Sequence, residues 1–508
     1  MPTSTHPDVI VVGSGVGGGT AALRLAQHGL SVLILERGEH LPREADNWSP
    51  KAVYIEKKYT AKETWLDGEG KPFAPSVFYN VGGATKFYGC TMIRFRPRDF
   101  EDVEHEGGLS PAWPVTYAEM EPWYTQAERL FHVMGSAGID PTEGPRSGEF
   151  PYPGVTSDPP MVGLMDRLRI QGLNPFPQQA AIHMAPDGNC VRCSTCDGYP
   201  CKINAKADAE KSVVDPALAT GRVTLRTGTK ARRVLLSPDG KTVTGIEVEH
   251  GGNVEVLHAK TYVLAASAIN TAAILLQSAT DAAPQGAANS SGIVGRNYMT
   301  HNNSAMMAIS HRKNETIFQK SVTLNDFYWG DDDFPHPMGC IMSLGKLRPG
   351  VMTAANKHVP HFVNKVLADR SFDWWIMSED LPDPKNRISI DGGRIKMDTR
   401  RNNLRAHQEL TKRAATALRR AGLPLILTKL MPVATTSHQC GTVRFGTDPA
   451  KAALDPFCRA FDQQNLFVID ASFFPSSAAV NPALTIAAQA LRAADQMASA
   501  DFGIAPKP

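Results

Sequence analysis

Asp8-Val-Ile-Val-Val-Gly13-Ser-Gly15-Val-Gly-Gly18 decides the fold. Its first half is short, apolar and β-branched, the composition of a strand buried on both faces. Glycines follow at once, and then Val16, Thr20 and Leu23, with Ala22 and Ala26, recur at helical spacing until Gly29. Ser31-Val-Leu-Ile-Leu35 resumes as a second strand, closed by Glu36. A βαβ unit this short predicts a doubly wound parallel sheet. In that setting each glycine has a reading. Gly13 permits a tight turn, Gly15 lets backbone approach a pyrophosphate, and Gly18 lets helix and strand close together. N–H groups at the helix start then hold the anion, and the Glu36 carboxylate accepts from ribose hydroxyls, which argues against a 2′-phosphate.

Strands of the same texture return far downstream, at Val223-Thr-Leu225, Thr261-Tyr-Val-Leu-Ala265 and Asn465-Leu-Phe-Val-Ile469. The last is followed by Asp470 and an alanine-rich helix from about Ala483. A sheet gathered from such distant segments suits a long, buried, tightly held dinucleotide such as FAD better than an NAD domain completed in one piece. Between these segments the texture changes. Residues 41–114 are loop-rich, Tyr117 to Met134 reads as one helix, and residues 136–160 form a Gly/Pro/Ser-rich crossover. Arg232 to Leu236 and Val243 to Val248 make a hairpin about Pro238-Asp-Gly240. The stretch 301–430 carries many aromatics, three aspartates at 331–333 and the alternating Arg387-Ile-Ser-Ile390, the pattern of an antiparallel sheet with helices. The expected fold class is therefore α/β. A Rossmann-like FAD-binding domain is assembled from 1–90, 190–300 and 431–508, and an α+β substrate-binding domain on an antiparallel sheet from 91–189 and 301–430.

The bulk properties exclude several partners. In 508 residues, 42% hydrophobic and 20% charged with a net charge of +2, there is no field to attract nucleic acid or an anionic membrane. No apolar run reaches the roughly 20 residues of a membrane span; the longest, Tyr262 to Leu276, is broken by Ser267, Asn270 and Thr271. Met1 to Pro7 is polar and shows no leader pattern, and eight sparse cysteines fit a reducing cytoplasm. Homo-oligomers remain possible.

Several patches then fall in the order of the glucose–methanol–choline (GMC) flavoprotein family. Asn80-Val-Gly-Gly-Ala-Thr85 resembles its flavin-facing Gly-Gly segment, and Trp113-Pro-Val-Thr-Tyr117 the helix opening of its sugar-oxidising branch. Gly228-Thr-Lys-Ala-Arg-Arg-Val234 resembles the strand whose backbone meets adenine, with Ala231 in that position. Ala265 to Ser278 is similar to its small-residue turn and leucine-rich helix. Ser437-His-Gln-Cys-Gly-Thr442, Val468-Ile-Asp-Ala-Ser472 and Asn481-Pro-Ala-Leu-Thr485 resemble its terminal motifs. The resemblance spans most of the chain and thins between about 300 and 430. It implies cofactor contacts at Gly82, Gly83, Thr85, Ala231, Asp470, Asn481 and Thr485, beside Gly13, Gly15, Gly18 and Glu36. The pairing of His438 with Asn481 looks most like pyranose oxidases and bacterial glycoside 3-oxidases. Fungal pyranose oxidases join a histidine covalently to the flavin shortly after the Gly-Gly. Here that stretch is Ala84-Thr-Lys-Phe-Tyr-Gly89, with no histidine, so the implied FAD is non-covalent.

Alcohol oxidation by a flavin needs a base for the hydroxyl proton and a path for the carbinol hydride. His438 is the candidate base. Asn481 is the candidate group to orient the alcohol and stabilise developing alkoxide. The expected reaction converts a secondary ring hydroxyl, C3 or C2, of a sugar or glycoside to a keto-sugar, with reoxidation by oxygen giving hydrogen peroxide. A flavodehydrogenase passing electrons to a quinone or cytochrome, a sterol or alcohol oxidase, and a non-catalytic flavoprotein are the rival readings. Cys190-x2-Cys193-x2-Cys196-x4-Cys201 differs by one residue from a ferredoxin run. An iron–sulfur cluster, zinc and a structural loop ending in Lys206 all stay open there, and no metal is expected. Trp374-Trp375 reads as core packing or as a stacking surface for a sugar or aglycone ring.

Overall fold

The computed structural model describes residues 6–184, 188–355, 358–435 and 437–505; Met1–Thr5 at the polar start and Thr436 before His438 lie outside it. Five strands, β1 (Val9–Val12), β2 (Val32–Leu35), β3 (Val223–Arg226), β4 (Thr261–Leu264) and β5 (Leu466–Val468), stand in the order β3-β2-β1-β4-β5. Every pair is parallel, with Val9 opposite both Val32 and Thr261. β1, with neighbours on both edges and layers on both faces, is wholly buried, which is why its run is apolar without alternation.

Three helices cover this sheet: α1 (Val16–Gln27), α2 (Ala268–Leu276) and α3 (Ala483–Phe502). Small residues let them come close. A Cβ on Gly17 would stand 1.8 Å from the Ile469 carbonyl oxygen, so α1 touches the end of β5 backbone to backbone. Gly13 has φ +101°, a turn that L side chains rarely adopt. Between α1 and α3 the Arg24 guanidinium grips Asp495 with Nε and Nη2 at 2.5 and 2.8 Å, and His28 Nε2 lies 2.7 Å from the same carboxylate. Removing one partner of such a buried pair costs about 3–5 kcal/mol.

The second region is a six-stranded sheet in the order Leu425–Leu430, Asn302–Ile309, Ser371–Ser378, Cys340–Ser343, Val322–Leu324, Phe176–Pro177, antiparallel throughout. Helix Leu404–Arg420 packs Ala406, Leu410 and Ala414 with Met306 and Trp374 on one face. The other face, with Met342 and Met377, belongs to the core shared with the parallel sheet. A further four-stranded sheet joins Arg394–Asp398 to Trp65–Asp67 and so ties the two regions together.

The α/β class with an antiparallel substrate sheet is as expected. Two local readings are corrected. The helix from Tyr117 ends at Leu130, not Met134: His132 turns left-handed at φ +50°, and Val133–Gly135 leaves as a strand. The hairpin is a three-stranded meander, extended by Asn253–Leu257 after a Gly251-Gly252 turn. No helix of the described residues is long and apolar enough to cross a membrane.

Candidate functional site

The glycine turn between β1 and α1 is partly exposed at Gly13 and Gly15, although the elements on either side are buried. α1 starts without a side-chain cap, which leaves its first N–H groups free to meet an anion. A Cβ added at Gly15 would meet nothing within 4 Å, whereas a Cβ on Gly83 would come to 3.2 Å of the Gly15 Cα. The Gly-Gly turn thus lies directly against the first turn, and Gly82 N donates to Ser14 Oγ at 3.1 Å. Glu36 stands beside both. Its carboxylate accepts from Ser14 Oγ at 2.7 Å, Ser14 N at 3.1 Å and Gly38 N at 3.0 Å. Burial pushes this carboxyl up, against the pull of those three donors.

The remaining expected cofactor residues fall into two sets. Thr85 Oγ1 donates to Gly82 O at 2.5 Å and accepts from Ala209 N at 2.9 Å, so its hydroxyl shapes the Gly-Gly turn. Ala231 is buried in the strand Thr229–Leu236, at a register shift against Val243–His250. Thr229 N donates to the Glu36 carbonyl, which brings this strand to the acid. Asp470 ends β5 and accepts from Thr271 Oγ1 at 2.6 Å and Ser472 N at 2.8 Å, joining α2 to the sheet. Thr485, in the first turn of α3, hydrogen-bonds the Tyr124 hydroxyl at 2.8 Å. α3 also starts without a side-chain cap, just after Asn481.

His438 and Asn481 meet: His438 Nε2 and Asn481 Nδ2 are 3.2 Å apart. A third group, absent from the sequence reading, completes the cluster. His301 Nδ1 lies 3.0 Å from His438 Nδ1, with the rings edge to face. His301 sits just ahead of strand Asn302–Ile309, and its backbone N–H and that of Thr300 donate to the Asp380 carboxylate at 2.9 and 2.8 Å. Burial pushes the His438 imidazole down to about 3, helped by the Lys320 ammonium. It is therefore neutral at neutral pH, as a base must be. Lys320 is buried and paired with Asp197 at 2.8 Å.

Tyr88, in the stretch after the Gly-Gly turn, donates its hydroxyl to Ala207 O at 2.7 Å. The cysteine loop is drawn inward by the buried Lys206 ammonium, which donates to the carbonyls of Tyr88, Cys196 and Tyr199. All four cysteines are free thiols. Among the described residues no group of three or more His, Cys, Asp or Glu is arranged to hold a metal ion. The two tryptophans divide by strand alternation: Trp374 is fully buried against the helix layer, and Trp375 faces the shared core with Nε1 donating to Asn303 Oδ1 at 3.0 Å.

Comparison with known proteins agrees with this architecture. Residues 77–303 and 378–490 match the two models described as GMC oxidoreductase, and residues 8–45 match an FAD binding domain. The 6'''-hydroxyparomomycin C oxidase of Streptomyces lividus is 31% identical, over 97% of this chain and 91% of that protein. The paromamine 6'-oxidase of Streptomyces fradiae is also 31% identical, with the same coverage. Among solved structures, pyridoxine 4-oxidase from Mesorbium loti superposes with a TM-score of 0.65 at 19% identity, covering 97% of this chain and 99% of its own. The chain belongs to the GMC oxidoreductase family. It is an FAD-dependent enzyme acting on CH–OH groups, and its FAD is held non-covalently. The uncapped helix start, the paired glycine turns and the buried acid at the end of β2 all fit that dinucleotide.

Proposed function

We propose that the enzyme oxidises a carbinol of a sugar or glycoside, with His438 as base and Asn481 as the group that orients the alcohol. The observation that carries this reading is the 3.2 Å pairing of His438 Nε2 with Asn481 Nδ2 in a half-buried seam between the two regions. In this reading Gly13, Gly15, Gly18, Glu36, Gly82, Gly83, Ala231 and the ends of β5 and α3 hold FAD, and Thr85, Asp470 and Thr485 shape its walls. FAD, when bound, supplies the hydride acceptor. His438 takes the hydroxyl proton at Nε2, and the Asn481 amide steadies the oxygen as charge develops. Residues 91–189 and 301–430, with the six-stranded sheet, are the region we assign to substrate.

Support for a sugar comes from the two relatives at 31% identity, whose names are those of oxidases of paromomycin-type compounds. Both names carry position 6, which in hexose numbering is the exocyclic carbinol. Position 6 therefore stands beside the ring hydroxyls C3 and C2. Oxygen is the acceptor we propose, giving hydrogen peroxide. The test is anaerobic mixing of the yellow holoprotein with paromamine, methyl glucoside, their 6-deoxy forms and a sterol, followed by air. Bleaching by the sugars and peroxide on aeration is expected, and loss of bleaching with 6-deoxy forms selects position 6. Bleaching by the sterol alone removes the sugar reading, and slow reoxidation without peroxide removes oxygen as acceptor.

A further inference from the structure

Two protons decide what His438 can do, and the geometry locates them. His301 Nε2 lies 3.1 Å from the Ser477 backbone oxygen. A carbonyl has no proton to give, so this ring nitrogen carries N–H and donates. A neutral imidazole has one N–H, which leaves His301 Nδ1 bare. That bare nitrogen is 3.0 Å from His438 Nδ1, and a hydrogen bond needs one donor, so His438 Nδ1–H supplies it. His438 Nε2 is left with its lone pair and accepts from Asn481 Nδ2 at 3.2 Å. Asn481 Oδ1 stays buried without a partner.

We propose that His301 is a positioning residue: by accepting from Nδ1–H it fixes the His438 tautomer that presents a bare Nε2 to the substrate hydroxyl. This rests on the reading of His438 as base and deepens it. A group that sets the tautomer of a catalytic imidazole governs rate without touching substrate. The backbone is built to hold the pair. Both histidines adopt left-handed conformations, φ +63° and +56°, which few non-glycine residues take. Thr300 Oγ1 donates to the Ser437 carbonyl, so the residues preceding each histidine are also joined. The charged or titratable groups around the pair are Asp380, Glu379 with His105 at 3.2 Å, Lys320, and Arg401 acting on Asp380. A proton added to His301 reverses the shared bond, moves the His438 N–H to Nε2 and removes the base.

Two substitutions separate this role from a merely structural one. His301→Asn keeps an acceptor at the Nδ1 position, tolerates positive φ, and loses the Ser477 contact. His301→Gln reaches the Ser477 oxygen and leaves no acceptor for His438. With flavin content confirming the fold of each, anaerobic flavin reduction in His301→Asn should stay within about fivefold of the parent. In His301→Gln it should slow by about 10–100-fold at unchanged KM. The reverse ranking, with glutamine active and asparagine slow, makes His301 a clamp for the Ser477 turn and overturns the proposal. A readout independent of any substrate is the long-range 1H–15N spectrum of histidine-labelled holoprotein. A His438 Nδ1–H in the parent and in His301→Asn is expected; an Nε2–H in the parent overturns the proposal whatever the substrate proves to be.

Discussion

The parallel sheet and the antiparallel sheet are held by different means. In the first, α1, the Gly82-Gly83 turn and the strand ends meet through backbone, with no room for a Cβ at Gly17. In the second, strands meet through side chains that alternate between two cores, as Trp374 and Trp375 do. Its outer strand Leu425–Leu430 even leaves Leu425 and Leu430 more than two-fifths exposed. Backbone contact admits almost no sequence change, whereas side-chain alternation admits many. The base and the orienting amide that we propose sit on the seam between the two. His301 opens a strand of the second sheet, and Asn481 precedes a helix of the first.

That contrast can be broken at either end. Gly17→Ala places a methyl 1.8 Å from the Ile469 oxygen, where only backbone can yield. It should give little or no soluble yellow protein, measured as flavin absorbance per polypeptide, and a stable holoprotein would show that backbone contact is not what holds the region. On the seam, His438→Ala should lower the rate of flavin reduction by about 10²–10⁴-fold while flavin stays bound. A near-normal single-turnover rate would remove it from the mechanism. In the second sheet, His407 is buried between Ser304 Oγ at 2.7 Å and Ser378 Oγ at 3.0 Å, and burial, with Arg401, pushes it down to about 4. The unfolded chain takes up that proton near the ordinary value of 6.5, so stability is full above this pH and is lost as pH falls towards 4. His438 adds a change of the same sign. Thermal melting should fall over that range in the parent and more gently in His407→Gln; equal slopes would show that His407 is not neutral when folded. Smallest of all, Leu427→Ser on the exposed outer strand should shift stability by no more than about 0.5 kcal/mol. A larger loss in denaturant titration would mean that this edge is covered in solution.

Legibility in the sequence followed the same division. The glycine spacing after β1, the unbroken apolar runs and Glu36 carry position-by-position meaning, because each answers a demand of backbone geometry. Gly17, the tightest approach of all, was passed over because the fingerprint assigns its roles to Gly13, Gly15 and Gly18. The antiparallel sheet was readable as a class but not strand by strand, since alternation tolerates many residues and its partners lie far apart. The end of the helix at Leu130 turned on a left-handed His132 that no propensity announces. His301 is one of 15 histidines, and it meets His438 across 137 residues. No local spacing could have marked it; only its place directly before a strand was a faint cue.

The order β3-β2-β1-β4-β5 also sets a schedule for synthesis. A chain leaving the ribosome has β1 and β2 within its first 35 residues, yet β4 stays an open edge until Leu466–Val468 emerges. From the emergence of Leu264 until then, that edge is an unpaired template for other nascent chains. Any truncation before residue 466 makes the exposure permanent and removes Asn481 as well, so nonsense products of this gene should aggregate rather than persist as colourless, soluble fragments.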